Sequence, residues 1–77
     1  MVPESAIKEF LARVRDAEYD GSLPNAQVIG RELFGEPAFE GTVAVVDECK
    51  RRGLLSRADN DYTGVTLSLA GEAFLNA

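Results

Sequence analysis

Gly53 separates two kinds of periodicity in this chain, and that separation restricts the fold more than any other feature of the sequence. Ahead of it, apolar residues recur at intervals of three and four, as they do along the buried face of an amphipathic helix. Behind it, two short apolar arms, residues 54–57 and 65–67, flank the polar stretch ADNDYTG, in which Gly64 can take a positive φ. Such a pair of arms around a turn-rich loop predicts a β-hairpin. The expected fold class is therefore α+β: helices first, a hairpin after Gly53, and a short closing segment.

The helices follow from their apolar spacing and their end signals. In PESAIKEFLARVRDA, Ile7, Phe10, Leu11 and Val14 share one face, Pro3 suits the first helical position, and Glu4 complements the helix N-terminus. EYDGSLP ends this helix through Asp20, Gly21 and Pro24, and Leu23 is expected to open a very short strand. NAQVIGRELFG predicts a second helix of about three turns, capped by Asn25, with Val28, Ile29 and Leu33 on one side and a stop at Gly35. EPAFEGTVAVVDECKRRG predicts a third, beginning between residues 37 and 42 and ending at Gly53. Its inner side carries Thr42, Val45, Val46 and Cys49, and its outer side carries Gly41, Val43, Ala44, Asp47, Glu48 and Arg51. Lys50, Arg51 and Arg52 fall in the last turn, where cations complement the helix dipole. After the hairpin, Ser68 caps LAGEAFL, from which Leu69, Phe74 and Leu75 are expected to fold back onto the core. Tyr19 and Tyr62 read as half-buried packing residues.

Length and composition exclude several kinds of chemistry. A 77-residue chain has room for one hydrophobic core, so residues 1–77 read as a single domain. Beginning at Met1 without a linker-like tail, it reads as a complete small protein, although a domain cut from a longer chain would read the same way. Thirteen acidic against eight basic residues leave a net charge of -5, whose mean field repels nucleic acid and anionic membrane. One cysteine and no histidine leave no internal disulfide, no zinc site and no nucleophile–histidine pair. No glycine-rich phosphate loop is present, and no cofactor or small-molecule substrate is inferred. Asp59, Asp61, Thr63 and Gly64 overlap the opening of a calcium loop, but its twelfth position is Ala70 rather than a bidentate glutamate. These features predict a non-enzymatic cytoplasmic protein with no membrane segment, in which Cys49 is a structural thiol.

The order of elements resembles the winged helix-turn-helix family over nearly the whole chain. Ile29, Gly30 and Leu33 match the family's apolar-small-x-x-apolar pattern in the second helix, where the third helix crosses close to the backbone. VVDECKRRGLL resembles the end of a recognition helix turning into the wing. VTLSLAGEAFL is similar to the stretch after the wing in MarR-type and related regulators, with Ser68 and Gly71 at the ends of the Thr-x-x-Gly pattern. The resemblance implies a three-helix core, a two-stranded wing and a short C-terminal helical segment. It also implies a transcription-regulator type of module on double-stranded DNA, acting as a dimer.

Under that reading the DNA contacts fall to Arg31, Thr42, Arg51, Arg57 and Asn60. The outward carboxylates and the acidic wing support a second expectation. An acidic protein–protein interaction module on the same scaffold would use Val43, Ala44, Asp47, Glu48, Asp59, Asp61 and Tyr62, attracting a basic surface or imitating nucleic acid.

Overall fold

The computed structural model describes residues 2–21, 25–35, 39–57 and 65–76. They form α1 (Glu4–Tyr19), α2 (Ala26–Phe34), α3 (Phe39–Arg51), β1 (Leu55–Arg57), β2 (Thr66–Leu67) and α4 (Leu69–Asn76). Among the described residues the fold is α+β, four helices with one two-stranded antiparallel hairpin, as the change of periodicity at Gly53 predicts.

In α1 the four apolar residues at helical spacing, Ile7, Phe10, Leu11 and Val14, are fully buried. Pro3 stands one residue earlier than expected, as the extended N-cap whose carbonyl accepts from the amides of Ala6 (3.1 Å) and Ile7 (3.3 Å). Tyr19, expected to be half-buried, is 90% exposed, lying beyond the buried stripe of α1, whose last member is Val14.

Asn25 caps α2 as its sequence signals, its side chain accepting from the amides of Gln27 (2.9 Å) and Val28 (3.3 Å). Ala26, Ile29 and Gly30 form the buried side of α2, while Val28 faces solvent. The helix meets α3 through its small residues, which turns Val28 away from the core, contrary to the sequence expectation. Leu23, the expected strand opener, lies outside the described residues, and Asn25 makes a single β-bridge.

α3 buries the four residues its spacing marked: Thr42, Val45, Val46 and Cys49. Gly53 (φ +72°) then reverses the chain, with its amide donating to Lys50 O (3.1 Å) and the Leu54 amide to Cys49 O (2.9 Å). Only a residue without a Cβ takes this conformation cheaply.

The hairpin pairs Leu55 with Leu67 and Arg57 with Thr66. Two steps on β1 against one on β2 make a bulge at Ser56, whose hydroxyl lies 2.6 Å from Thr66 Oγ1 and donates to Leu67 O (3.2 Å). Glu18 fastens the hairpin to α1 by accepting from the Leu67 amide (3.3 Å).

Ser68 caps α4, accepting from the Gly71 amide (3.0 Å) and donating to Gly53 O (2.6 Å). Gly71 sits against the residue that precedes β1 so closely that a Cβ there would lie 2.2 Å from Leu54 O. Phe74 and Leu75 pack on the core as expected, whereas Leu69, at the outer start of α4, is 85% exposed.

Candidate interaction surface on the third helix

The crossing of α2 and α3 determines which side of α3 meets solvent. A Cβ added to Gly30 would lie 1.7 Å from Thr42 Oγ1 and 2.8 Å from Thr42 Cβ, so the two helices meet there with no room for a side chain. With Thr42, Val45, Val46 and Cys49 turned inward, the opposite face presents Gly41, Ala44, Asp47 and Arg51 as exposed residues, with Val43 and Glu48 half-buried. This is the outward set expected from the sequence.

The first part of that face is apolar. A shallow groove of about 200 Å³ runs between α1 and α3, lined by Val2, Pro3, Ala6, Phe34, Gly41, Ala44 and Val45. Phe34, at the end of α2, is 37% exposed and leans over Gly41, where a Cβ would meet its ring at 3.5 Å. Val2, Ala6 and Phe34 drew no attention in the sequence, because a groove between helices has no signature along any one of them.

The last turn of α3 is ionic. Glu48 Oε1 accepts from Arg51 Nε (3.0 Å), and Glu48 Oε2 accepts from Arg51 Nη2 and from Arg52 Nε (2.7 Å). Arg52 Nη1 also donates to Glu4 Oε1 (2.8 Å), tying the end of α3 to the start of α1. These hydrogen bonds, first from Arg51 and then from Arg52, hold the Glu48 carboxyl down at about 2, against the opposing effect of burial. They raise both guanidinium pKa values in return, through Glu48 for Arg51 and through Glu4 and then Glu48 for Arg52. The expectation for Arg51 was a DNA contact and not a pair with Glu48, although spacings of three and four residues are the signal that marks both of the Glu48 pairs. The Glu4–Arg52 pair, 48 residues apart, carries no such signal.

Next to this cluster, burial pushes the Cys49 thiol up to about 12, which leaves it a packing group as its inward position predicts. The buried and ionic neighbours thus occupy successive positions of one helix.

Of the residues expected to touch DNA whose side chains are described, Arg31 and Arg51 are exposed and Thr42 is buried. Thr42 is 1% exposed and wedged against Gly30, so its expected contact with DNA is corrected: the helix crossing consumes its side chain. Arg31 is exposed on α2 and has an interaction partner of its own. Arg51 is exposed and held by Glu48, and Arg57 closes β1. Asn60 lies outside the described residues, as do Asp59, Asp61, Tyr62 and the calcium-like stretch they belong to. Of the residues expected to meet a protein, the structure brings Val43, Ala44, Asp47 and Glu48 together on one side of α3.

No known protein family matches this chain, and no curated protein or solved structure is significantly similar to it.

Proposed function

We propose that this protein is a winged-helix-like module that binds another protein through the outer side of α3, and that it works in the cytoplasm. The observation that carries the reading is the pairing of an apolar groove at Gly41 and Ala44 with a last turn whose arginines are already occupied by carboxylates. A base-reading helix needs donors and acceptors free to reach base edges. Here the outward residues are Gly41, Val43, Ala44, Asp47, Glu48 and Arg51, and the one cation among them is engaged by Glu48. The partner that suits this face offers an apolar side chain for the groove and basic residues around it, in keeping with a net charge of -5. No described helix is long and apolar enough to cross a membrane, in keeping with the proposed location.

A second reading, contact with double-stranded DNA as a dimer, is favoured by the layout itself: a helix crossing at Gly30 and a hairpin directly after α3. Lys50, which forms no ion pair among the described residues, adds to it.

Two titrations followed by amide chemical shifts separate these readings. The probes are a leucine- and lysine-containing amphipathic peptide and a mixed-sequence DNA duplex, both at low salt. The protein-binding reading expects the peptide to move the amides of Gly41, Val43 and Ala44, with little response to DNA. Saturable DNA binding with shifts along α3 and the hairpin, and no response to peptide, would overturn it in favour of the second reading.

A further inference from the structure

We infer that Glu48 and Glu4 act as built-in stand-ins for phosphate, occupying the Nε donor and one Nη donor of each of Arg51 and Arg52 and so disfavouring nucleic-acid backbones at the end of α3. The inference goes beyond the choice of partner, because it concerns what this face rejects.

The geometry is the argument. A guanidinium binds phosphate through parallel N–H donors, and a carboxylate engages the same donors in the same way. Arg51 offers Nε and Nη2 to the two oxygens of Glu48, the side-by-side arrangement it would offer a phosphate. Arg52 spends Nε on Glu48 (2.7 Å) and Nη1 on Glu4 (2.8 Å), so its donors are divided between two carboxylates. Glu48 sits one turn before Arg51 on the same helix and before Arg52 just past its end, and its carboxylate is therefore present at a high effective concentration that a diffusing phosphate must displace. Of the neighbouring charges, Asp47, exposed beside Glu48, adds a further negative group without pairing to either arginine among the described residues, while Lys50 in the same turn is an exposed cation that these carboxylates do not engage.

Masking of this kind acts on selectivity more than on stability. Exposed ion pairs of this sort are weak individually, so breaking them costs the fold little. Their effect on a polyanion is larger, since each freed arginine can neutralise a phosphate and release counterions. A charge-only effect makes a different forecast: any nearby carboxylate would then serve equally well.

The test measures binding of the full chain to a fluorescent mixed-sequence DNA duplex over a series of salt concentrations. Glu48→Gln should tighten binding about tenfold at low salt and steepen the logarithmic salt dependence by about one, for the freed Arg51, and by about two at most, since Arg52 keeps its bond to Glu4. Glu4→Gln, which frees one donor of Arg52, should give a smaller gain with a steepening of about one at most. Asp47→Asn removes the same charge without freeing an arginine, and should leave the slope unchanged. Adding Arg51→Ala and Arg52→Ala to Glu48→Gln should abolish the gain. The inference is overturned if helical Glu48→Gln binds like the wild type, or if Asp47→Asn gains as much. If Glu48→Gln loses its helical circular dichroism, Glu4→Gln and Asp47→Asn decide in the same way. The wild-type affinity bears on the partner reading, and the differences among variants bear on the masking, so either can fail alone.

Discussion

The two sides of α3 follow different physical rules. Toward α2, Thr42 fills the space above Gly30 so completely that one added carbon would overlap it, and Val46 beside it is fully buried. Toward solvent, Glu48, Arg51 and Arg52 hold each other by hydrogen bonds between flexible, partly exposed side chains. Volume governs the first side and charge the second. A close-packed contact tolerates no added atom, because neighbouring backbone must move, whereas an exposed ionic contact can be exchanged for water or another ion at small cost. The inner side of α3 is thus where the fold is decided, and the outer side is where we propose that a partner is chosen.

The largest effect should come from Val46→Asp. A carboxylate placed at a fully buried position without a partner costs more than about 4 kcal/mol, comparable to the whole stability of so small a domain. Circular dichroism should show a chain unfolded at room temperature. A cooperative melt near the wild-type temperature would mean that the inner side of α3 has been assigned to the wrong face.

Gly30→Ala comes next, with an expected loss of about 2–3 kcal/mol by urea denaturation, since the new methyl must displace Thr42. Combining it with Thr42→Ala removes the atom 1.7 Å away but leaves Cβ at 2.8 Å, so the double variant should recover part of the loss and no more. Strict additivity of the two changes would show that the helices separate freely there, and the contrast between the two sides would weaken.

The smallest effect belongs to the outer side and depends on pH. The Glu48 carboxyl, lowered from 4.5 to about 2, favours the folded state once the unfolded chain would be ionised. Its contribution is therefore present above about pH 4.5 and disappears as the pH falls toward 2. Comparing urea stability of Glu48→Gln with wild type should show a small difference at neutral pH that closes across this acid range. A difference that persisted at pH 2 would mean that Glu48 acts through packing, as the inner residues do.

Much of this architecture is legible in the sequence for local reasons. The buried stripe of α1, the Asn25 cap, the inner residues of α3, the turn at Gly53 and the pairing of the two arms each depend on spacings of a few residues or on one residue's conformational range. The candidate surface is legible only in part. Counting back from Gly53 gives the outward set of α3, and Glu48 lies at ion-pairing distance along the helix from Arg51 and Arg52. Thr42 misleads as a DNA contact because a polar side chain facing a glycine on another helix looks, in one dimension, like any threonine near a helix start. Val28, Tyr19 and Leu69 mislead in the other direction: apolar character alone does not ensure a neighbour to pack against.

What the sequence determined by itself is therefore where each helix and turn begins, ends and hides its apolar stripe, because those properties rest on backbone preference and short-range periodicity. What only the tertiary structure decided is which elements touch. Gly30 had to meet Thr42, Gly71 the carbonyl of Leu54, Glu4 the guanidinium of Arg52, and Phe34 the groove beside Gly41. The physical reason is that these contacts join residues far apart in the chain through steric fit and hydrogen-bond geometry, neither of which exists until the helices have packed.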